Sequence, residues 1–297
     1  MFGVETLDHV GIPVRDLDRS EKFYQETLGL AFFTRRKNAD GSPRHTYVLA
    51  GENIIGLNLP GVQVPASPSA APRYGIAVDS ADRFEETVEK IRDSGVRCAA
   101  IEQHGLDSPF VRSFCFDDPD DNHLEICLRR DGPGGIHLSH VVFETADVAC
   151  STRFYSQALG LEPLTEERGE QLFRFRNHQI LGLKKVTVLS DRTKKHGRAV
   201  HVAFNVTQED FDRMVALITE MKGRSLGDHR SEDGLRPPGE RSLYFFDPDT
   251  NYLQITAHGE ENWDMLSDEE KWRRIIENRK KLGKGISSFD AGKKTGA

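Results

Sequence analysis

Six side chains stand where they could hold a cation: His140, His201 and Gln254 in the second half of the chain, and His9, Arg73 and Glu125 in the first. Two imidazoles and one carboxylate on adjacent strands bind Fe(II) or Mn(II) and leave coordination positions open for a substrate and dioxygen. Neither half carries that full set. The second half has two His but an amide in place of the carboxylate. The first has the carboxylate and one His, but Arg73 where the second His would be, and a guanidinium stays charged and has no lone pair to give. The first half is therefore the weaker candidate. Gln254 can coordinate through its carbonyl oxygen, but a neutral ligand leaves more positive charge on the centre and weakens the site for hard divalent ions. Each His taken alone reads more readily as a solvated or hydrogen-bonded cavity residue, and it is the matched positions in a repeat that raise the metal reading beside it.

The repeat is read directly. "LDHVGIPVRDLDRSEKFYQETLGL" (7–30) recurs as "LSHVVFETADVACSTRFYSQALGL" (138–161), and "DPDDNHLEIC" (118–127) recurs as "DPDTNYLQIT" (247–256). The chain is a tandem duplication, divided at the Gly/Pro-rich stretch 129–135, and each copy divides again into two units. In "LDHVGIPV", Val10, Ile12 and Val14 alternate with His9, Gly11 and Pro13, which is the period of a half-buried strand. A helix follows, with Asp16 or Asp18 as its cap and Gly29 as its left-handed stop. "HTYVLA" and "NIIGLNL" are further strands. The second unit restarts with a strand at Arg73–Val78, a helix from about Ala81 to Ser94 and Gly95 as its stop. The expected fold is α+β: four βαβββ modules forming two tandem open-barrel domains, 5–130 and 136–259, with a helical tail at 260–297. The alternation places His140, His201, Gln254, His9, Arg73 and Glu125 on concave faces, where a curved sheet encloses a wet cavity.

Composition narrows the partners. A net charge of −7 and 29% charged residues suit a small-molecule ligand, not nucleic acid or an anionic membrane. No apolar run is long enough to span a bilayer and no leader pattern opens the chain, so the expected location is the cytoplasm. Four cysteines without CxxC spacing read as buried thiols. No dinucleotide, P-loop or GxSxG pattern is present.

"DHV" on the first strand, "FYxxxLGL" after the helix and "FFDPDxNxLxI" at the end together resemble the vicinal oxygen chelate superfamily. Length and four-module order look like its two-domain extradiol ring-cleaving dioxygenases. The resemblance covers about residues 5–259. It implies an inactive N-terminal copy and a metal in the C-terminal one, with His140, His201 and Gln254 at the ligand positions and Tyr244 beside a bound catechol. The His that such enzymes carry shortly before that tyrosine is missing, so His196 and His229 are the substitutes for proton handling. Some relatives pair the first module with the fourth, which would set His9 beside His201 and Gln254, and Glu125 beside His140.

On this reading the chain is a metal-dependent ring-cleaving dioxygenase, or related oxygenase, acting on a catechol-like aromatic with dioxygen. Its metal is Fe(II), or else Mn(II) or another divalent ion, and it is expected to form a homo-oligomer. The alternatives are a glyoxalase-like isomerase or transferase, and a metal-free protein that sequesters an aromatic molecule. The tail "SDEEKWRRIIENRKKL" has the cap and charge order of a helix that docks on the C-terminal domain or on a neighbouring subunit, followed by a disordered end.

Overall fold

The computed structural model describes residues 2–37, 41–59, 69, 71–132, 134–190, 200–230, 240–259, 270, 273, 274 and 277, with the backbone alone for 224–230. The tail helix and its disordered end therefore lie almost wholly outside the described residues.

The first module comprises β1 (Thr6–Pro13), α1 (Leu17–Lys22), β2 (Ala31–Lys37), β3 (Pro43–Ala50) and β4 (Asn53–Asn58). The second comprises β5 (Arg73–Val78), α2 (Ala81–Asp93), β6 (Cys98–Gln103), β7 (Phe110–Asp117) and β8 (His123–Arg129). The third has β9 (His137–Thr145), α3 (Val148–Gln157), a very short β10 (Glu162–Pro163), β11 (Glu170–Arg174) and β12 (Ile180–Lys185). The fourth has β13 (His201–Asn205), α4 (Gln208–Glu220), β14 (Arg224–Arg230), β15 (Arg241–Phe246) and β16 (Tyr252–Ala257).

The local signals behave as their chemistry requires. Of the two candidate caps for α1, Asp16 accepts the backbone N–H groups of Asp18 and Arg19. Ser80, Asp147 and Thr207 cap α2, α3 and α4 in the same manner, each satisfying an N–H that the helix cannot. Gly29 and Gly95 adopt φ of +72° and +75° at the helix stops. Each helix turns its apolar stripe inward: Phe84, Val88 and Ile91 of α2 and Phe211, Met214 and Ile218 of α4 are fully buried. They join the convex faces of both sheets in one continuous core.

Among the described residues the strands form two sheets of eight. Sheet A runs β14-β15-β16-β13-β1-β4-β3-β2, and sheet B runs β10-β11-β12-β9-β5-β8-β7-β6. The four modules and the open sheets match the expectation, but the sheets do not follow the sequence halves. β1 pairs antiparallel with β13, and β5 with β9. Module one thus closes with module four, and module two with module three.

The doubled phrase explains how each half still holds together. The Asp118 Oδ1 atom accepts from the backbone of Asp120 and Asn122 at 2.8 and 2.9 Å, while its Oδ2 accepts from Tyr24 in the first module at 3.0 Å. Asn122 donates to the Pro13 carbonyl, and Ser20 to Asp120. In the other copy Asp247 accepts from Asp249, Asn251 and Tyr155, and Asn251 donates to the Glu144 carbonyl. The fourth letter of each phrase, Asp121 or Thr250, is left-handed, with φ of 64° or 70°. The shared letters are therefore a turn that clamps the last hairpin of one module onto the first helix of the module before it. The eighth letter, Glu125 in one phrase and Gln254 in the other, faces the concavity of a sheet.

Candidate metal centre

Concave rows of side chains follow from the strand registers. In sheet A one row crosses Ile54, His9, Ala203, Gln254 and Tyr244, and the next crosses Gly56, Gly11 and His201. Small residues beside large ones give the rings room. A Cβ on Gly11 would meet His201 Nδ1 at 2.6 Å and Asn58 Nδ2 at 2.9 Å, so the His201 ring leans over Gly11. There its Nε2 lies 3.0 Å from His9 Nε2, with the two rings nearly perpendicular at 78°.

The bulge between Leu7 and His9 swings Asp8 beside His9, a familiar use of bulges near functional sites. Asp8 Oδ2 is 2.6 Å from His9 Nδ1, and His258 Nε2 reaches the other carboxylate oxygen at 2.8 Å. Burial alone would raise the Asp8 pKa, but hydrogen bonds from His258 and His9 outweigh it and hold the carboxyl well below the usual range. A carboxylate at Nδ1 fixes the Nδ1–H tautomer, leaving the Nε2 lone pair of His9 turned towards His201.

Gln254 is 3% exposed; its Nε2 donates to Thr256 Oγ1 at 2.8 Å, while its Oε1 has no hydrogen-bond partner among the described residues. Tyr244 and Tyr252 stack 5.7 Å apart, each with its ring centroid 6.3 Å from that of His201. Tyr47 packs against Gly56 on the same concave face.

Sheet B repeats the plan with other chemistry. Its row crosses Ile180, His140, Gly75, Glu125 and Cys115, with Arg73 in the position that His201 holds in sheet A. Arg73 Nε lies 2.7 Å from Glu125 Oε2, and its Nη2 donates to both oxygens of Glu170 at 2.9 Å. Arg168 reaches Glu125 Oε1 at 3.0 Å, and His140 Nε2 lies 3.3 Å from Glu125 Oε2. Burial would raise the Glu125 pKa, but His140, Arg73 and Arg168, in that order, hold it well below the ordinary carboxylate value. Burial lowers that of His140 and keeps the ring neutral. Cys115 and Cys127 are pushed up to about 12, first by burial and then by Glu125, so neither is a thiolate nucleophile.

The cross-pairing corrects the expected ligand set. His140 sits in sheet B, apart from His201 and Gln254 in sheet A, because β9 pairs with β5 and not with β13. Of the alternative pair, His9 joins His201, whereas Glu125 belongs to the Arg73 cluster. Tyr244 does come beside His201. His196 lies outside the described residues, and His229 has only its backbone described, opposite Ser242. Sequence reading missed Asp8, Tyr47, Tyr252, Glu170 and Arg168. Asp8 adjoins His9, but strict alternation assigns neighbours to opposite faces, and only a bulge brings them to one side.

Family profiles match both halves: the Glyoxalase/Bleomycin resistance protein/Dioxygenase superfamily over residues 6–126 and a glyoxalase-like domain over 140–256. A protein named probable lactoylglutathione lyase, chloroplastic, of Arabidopsis thaliana is 28% identical over 52% of this chain, a stretch that spans 44% of that relative. The metallothiol transferase FosB of Lysinibacillus sphaericus is 26% identical over 40% of this chain and 79% of its own length. Among solved structures, a Bacillus subtilis protein assigned as a dioxygenase has a TM-score of 0.68 at 18% identity, covering 87% of both chains. Glyoxalase I of Zea mays has a TM-score of 0.63 at 20% identity, covering 90% of this chain and 95% of its own. At such identities the structures establish the fold alone. With both halves matched and the four-module architecture in place, the chain belongs to the glyoxalase/bleomycin resistance protein/dioxygenase superfamily, as two tandem domains.

Proposed function

We propose that sheet A carries the functional centre, that His9, His201 and Gln254 hold a divalent metal there, Fe(II) foremost, and that the chain is a ring-cleaving dioxygenase or related oxygenase acting on a catechol-like aromatic. The observation that carries this reading is the His9–His201 pair. Two nitrogens bound at right angles to one ion, each about 2.1 Å from it, stand about 3 Å apart, and the two Nε2 atoms are 3.0 Å apart. The buried Gln254 oxygen without a partner supplies a third donor. Among the described residues no three His, Cys, Asp or Glu groups converge on a metal-sized point, and on this reading the Gln254 amide would complete the set.

That donor set selects the ligand. Two imidazoles and an amide carry no negative charge, so an anionic chelator gains most by binding, and a catecholate with two adjacent oxygens is such a molecule. Tyr244 and Tyr252 present a stacked aromatic wall beside His201, against which a flat ring can pack. Asp8 holds the His9 tautomer, and the Gly11 gap sets the lean of His201. The ion, when bound, supplies Lewis acidity at the vicinal oxygens and, as Fe(II), the redox link to dioxygen.

The isomerase alternative needs a free carboxylate base, and the carboxylates described near the two centres are engaged: Asp8 with His9 and His258, Glu125 with two guanidinium groups. A metal-free binding role is the second reading, favoured by the neutral donor set. Elemental analysis of protein purified without chelators separates the two. One metal per chain that is lost in His201→Ala, together with oxygen uptake on a catechol after anaerobic iron loading, is the expected result. Metal-free protein that binds aromatics equally with and without EDTA would replace this reading with the second.

A further inference from the structure

We propose that the concave face of sheet B is a metal-type site whose cation is part of the chain: the Arg73 guanidinium stands where an ion would, with Glu125, Glu170 and His140 around it.

The positional match comes first. His140, Arg73 and Glu125 occupy in sheet B the register positions of His9, His201 and Gln254 in sheet A. Each sheet also has one imidazole leaning over a strand glycine, His140 over Gly75 and His201 over Gly11, although at different register positions. What differs is the charge. Arg73 contacts two carboxyl groups, and Arg168 reaches both from the turn before β11, Glu125 at 3.0 Å and Glu170 at 3.8 Å. Glu125, Glu170, Arg73 and His140 are 0–5% exposed.

A buried carboxylate pair without a cation is strongly destabilising, so the site must contain positive charge from some source. In sheet A the register position of Arg73 holds His201, an imidazole with no fixed charge. In sheet B Arg73 supplies it permanently, its Nη2 donating to both oxygens of Glu170 while its Nε stands 2.7 Å from Glu125 as an ion pair. His140 Nε2 is buried and makes no well-formed hydrogen bond, its near contact being Glu125 at 3.3 Å. An imidazole nitrogen and two carboxyl groups then surround the Arg73 guanidinium, with Arg168 as a second cation against the same carboxyl groups. Glu170, carried in on the β11–β12 hairpin, is a carboxylate at the register position that His45 holds in sheet A.

Withdrawing the guanidinium should uncover the site. Arg73→His would leave two imidazoles and two carboxyl groups, a donor set of about −2 charge suited to a divalent ion. The test is made in a His201→Ala background, which disables sheet A and so separates this inference from the proposed function. Co(II) is titrated in by visible absorption with equilibrium dialysis. Arg73→His is expected to add one Co(II) per chain relative to its parent, and Glu170→Gln on top of it to weaken that binding at least ~10-fold. A chain of parental circular dichroism that gains no Co(II) would overturn the inference. So would a parent that already holds one ion and loses it in Glu125→Gln. Arg73→Ala gives an independent reading: its melting temperature should fall and be restored by Zn(II), with no Zn(II) effect on the parent. A fall that Zn(II) leaves unrepaired counts against the proposal.

Discussion

Gly11→Ala probes the lean of His201 without touching a donor. The added Cβ would lie 2.6 Å from His201 Nδ1, whereas ordinary contact begins at 3.4 Å. The ring must therefore retreat by about 0.8 Å, since Asn58 at 2.9 Å blocks the methyl group on its other side. Metal–ligand distances tolerate about 0.2 Å, so the displacement is about four times what the site can absorb. Metal affinity should fall about 10- to 100-fold, comparable to losing an outer partner. Folding should suffer less. Gly11 does not occupy the left-handed region, so Ala gains about 0.4–1 kcal/mol from a stiffer unfolded chain. Against the usual overpacking cost of about 1–3 kcal/mol, the net loss is about 1–2 kcal/mol. Equilibrium dialysis with Co(II) and a thermal melt measure the two quantities separately. Unchanged affinity with an unchanged melt would refute the placement of His201 over Gly11, and with it the reasoning that brings the two Nε2 atoms together.

Asp8→Asn should weaken metal binding about 10- to 100-fold, and nitrogen-detected NMR of the metal-free protein should show His9 losing its fixed Nδ1–H tautomer; Asp8→Glu should restore part of both. Gln254→Glu should raise metal affinity at least ~10-fold while lowering the metal-free melting temperature, because it places an unpaired carboxylate at a 3%-exposed position; a variant that binds no more metal than wild type removes Gln254 from the ligand set. Burial raises the carboxyl of Asp247 to about 7 and that of Asp118 to about 6, from an ordinary 3.8. The folded chain then holds these protons more tightly than the unfolded one, so the stability they contribute is complete below about pH 4 and lost as pH rises through 6 to 7. Urea midpoints should decline from pH 5 to 8, and Asp247→Asn should flatten that decline.

Much of the scaffold was legible because it rests on local chemistry. The start of β5, the cap choice narrowed to Asp16 or Asp18, and the stops at Gly29 and Gly95 follow from backbone preferences within a few residues. The concave placement of His9, His201 and Gln254 follows from the two-residue period of strands. The module pairing is a different kind of fact. β1 would show the same alternation whether its neighbour were β5 or β13, and the choice depends on contacts nearly 200 positions apart, such as His9 with Ala203. The ligand set failed with it, since His140 and His201 are matched by sequence yet separated by sheet.

The changed letter follows from the same pairing. Glu125 is wholly buried and survives as a carboxylate because Arg73 and Arg168 stand against it. Gln254 occupies the matching place in a sheet whose corresponding residue is His201, and a carboxylate there would be a buried charge compensated only by a bound ion. On the proposed reading, an amide keeps an oxygen available for coordination while the metal-free fold stays electrically neutral, at the cost of weaker binding. The identity of each letter is thus tied to the residue on the neighbouring strand: Glu with Arg, Gln with His. If that coupling is physical, Arg73→Met and Glu125→Gln should each destabilise the fold by several kcal/mol while the double variant recovers much of the loss, whereas His201→Ala combined with Gln254→Ala should show little such compensation in a double-mutant cycle.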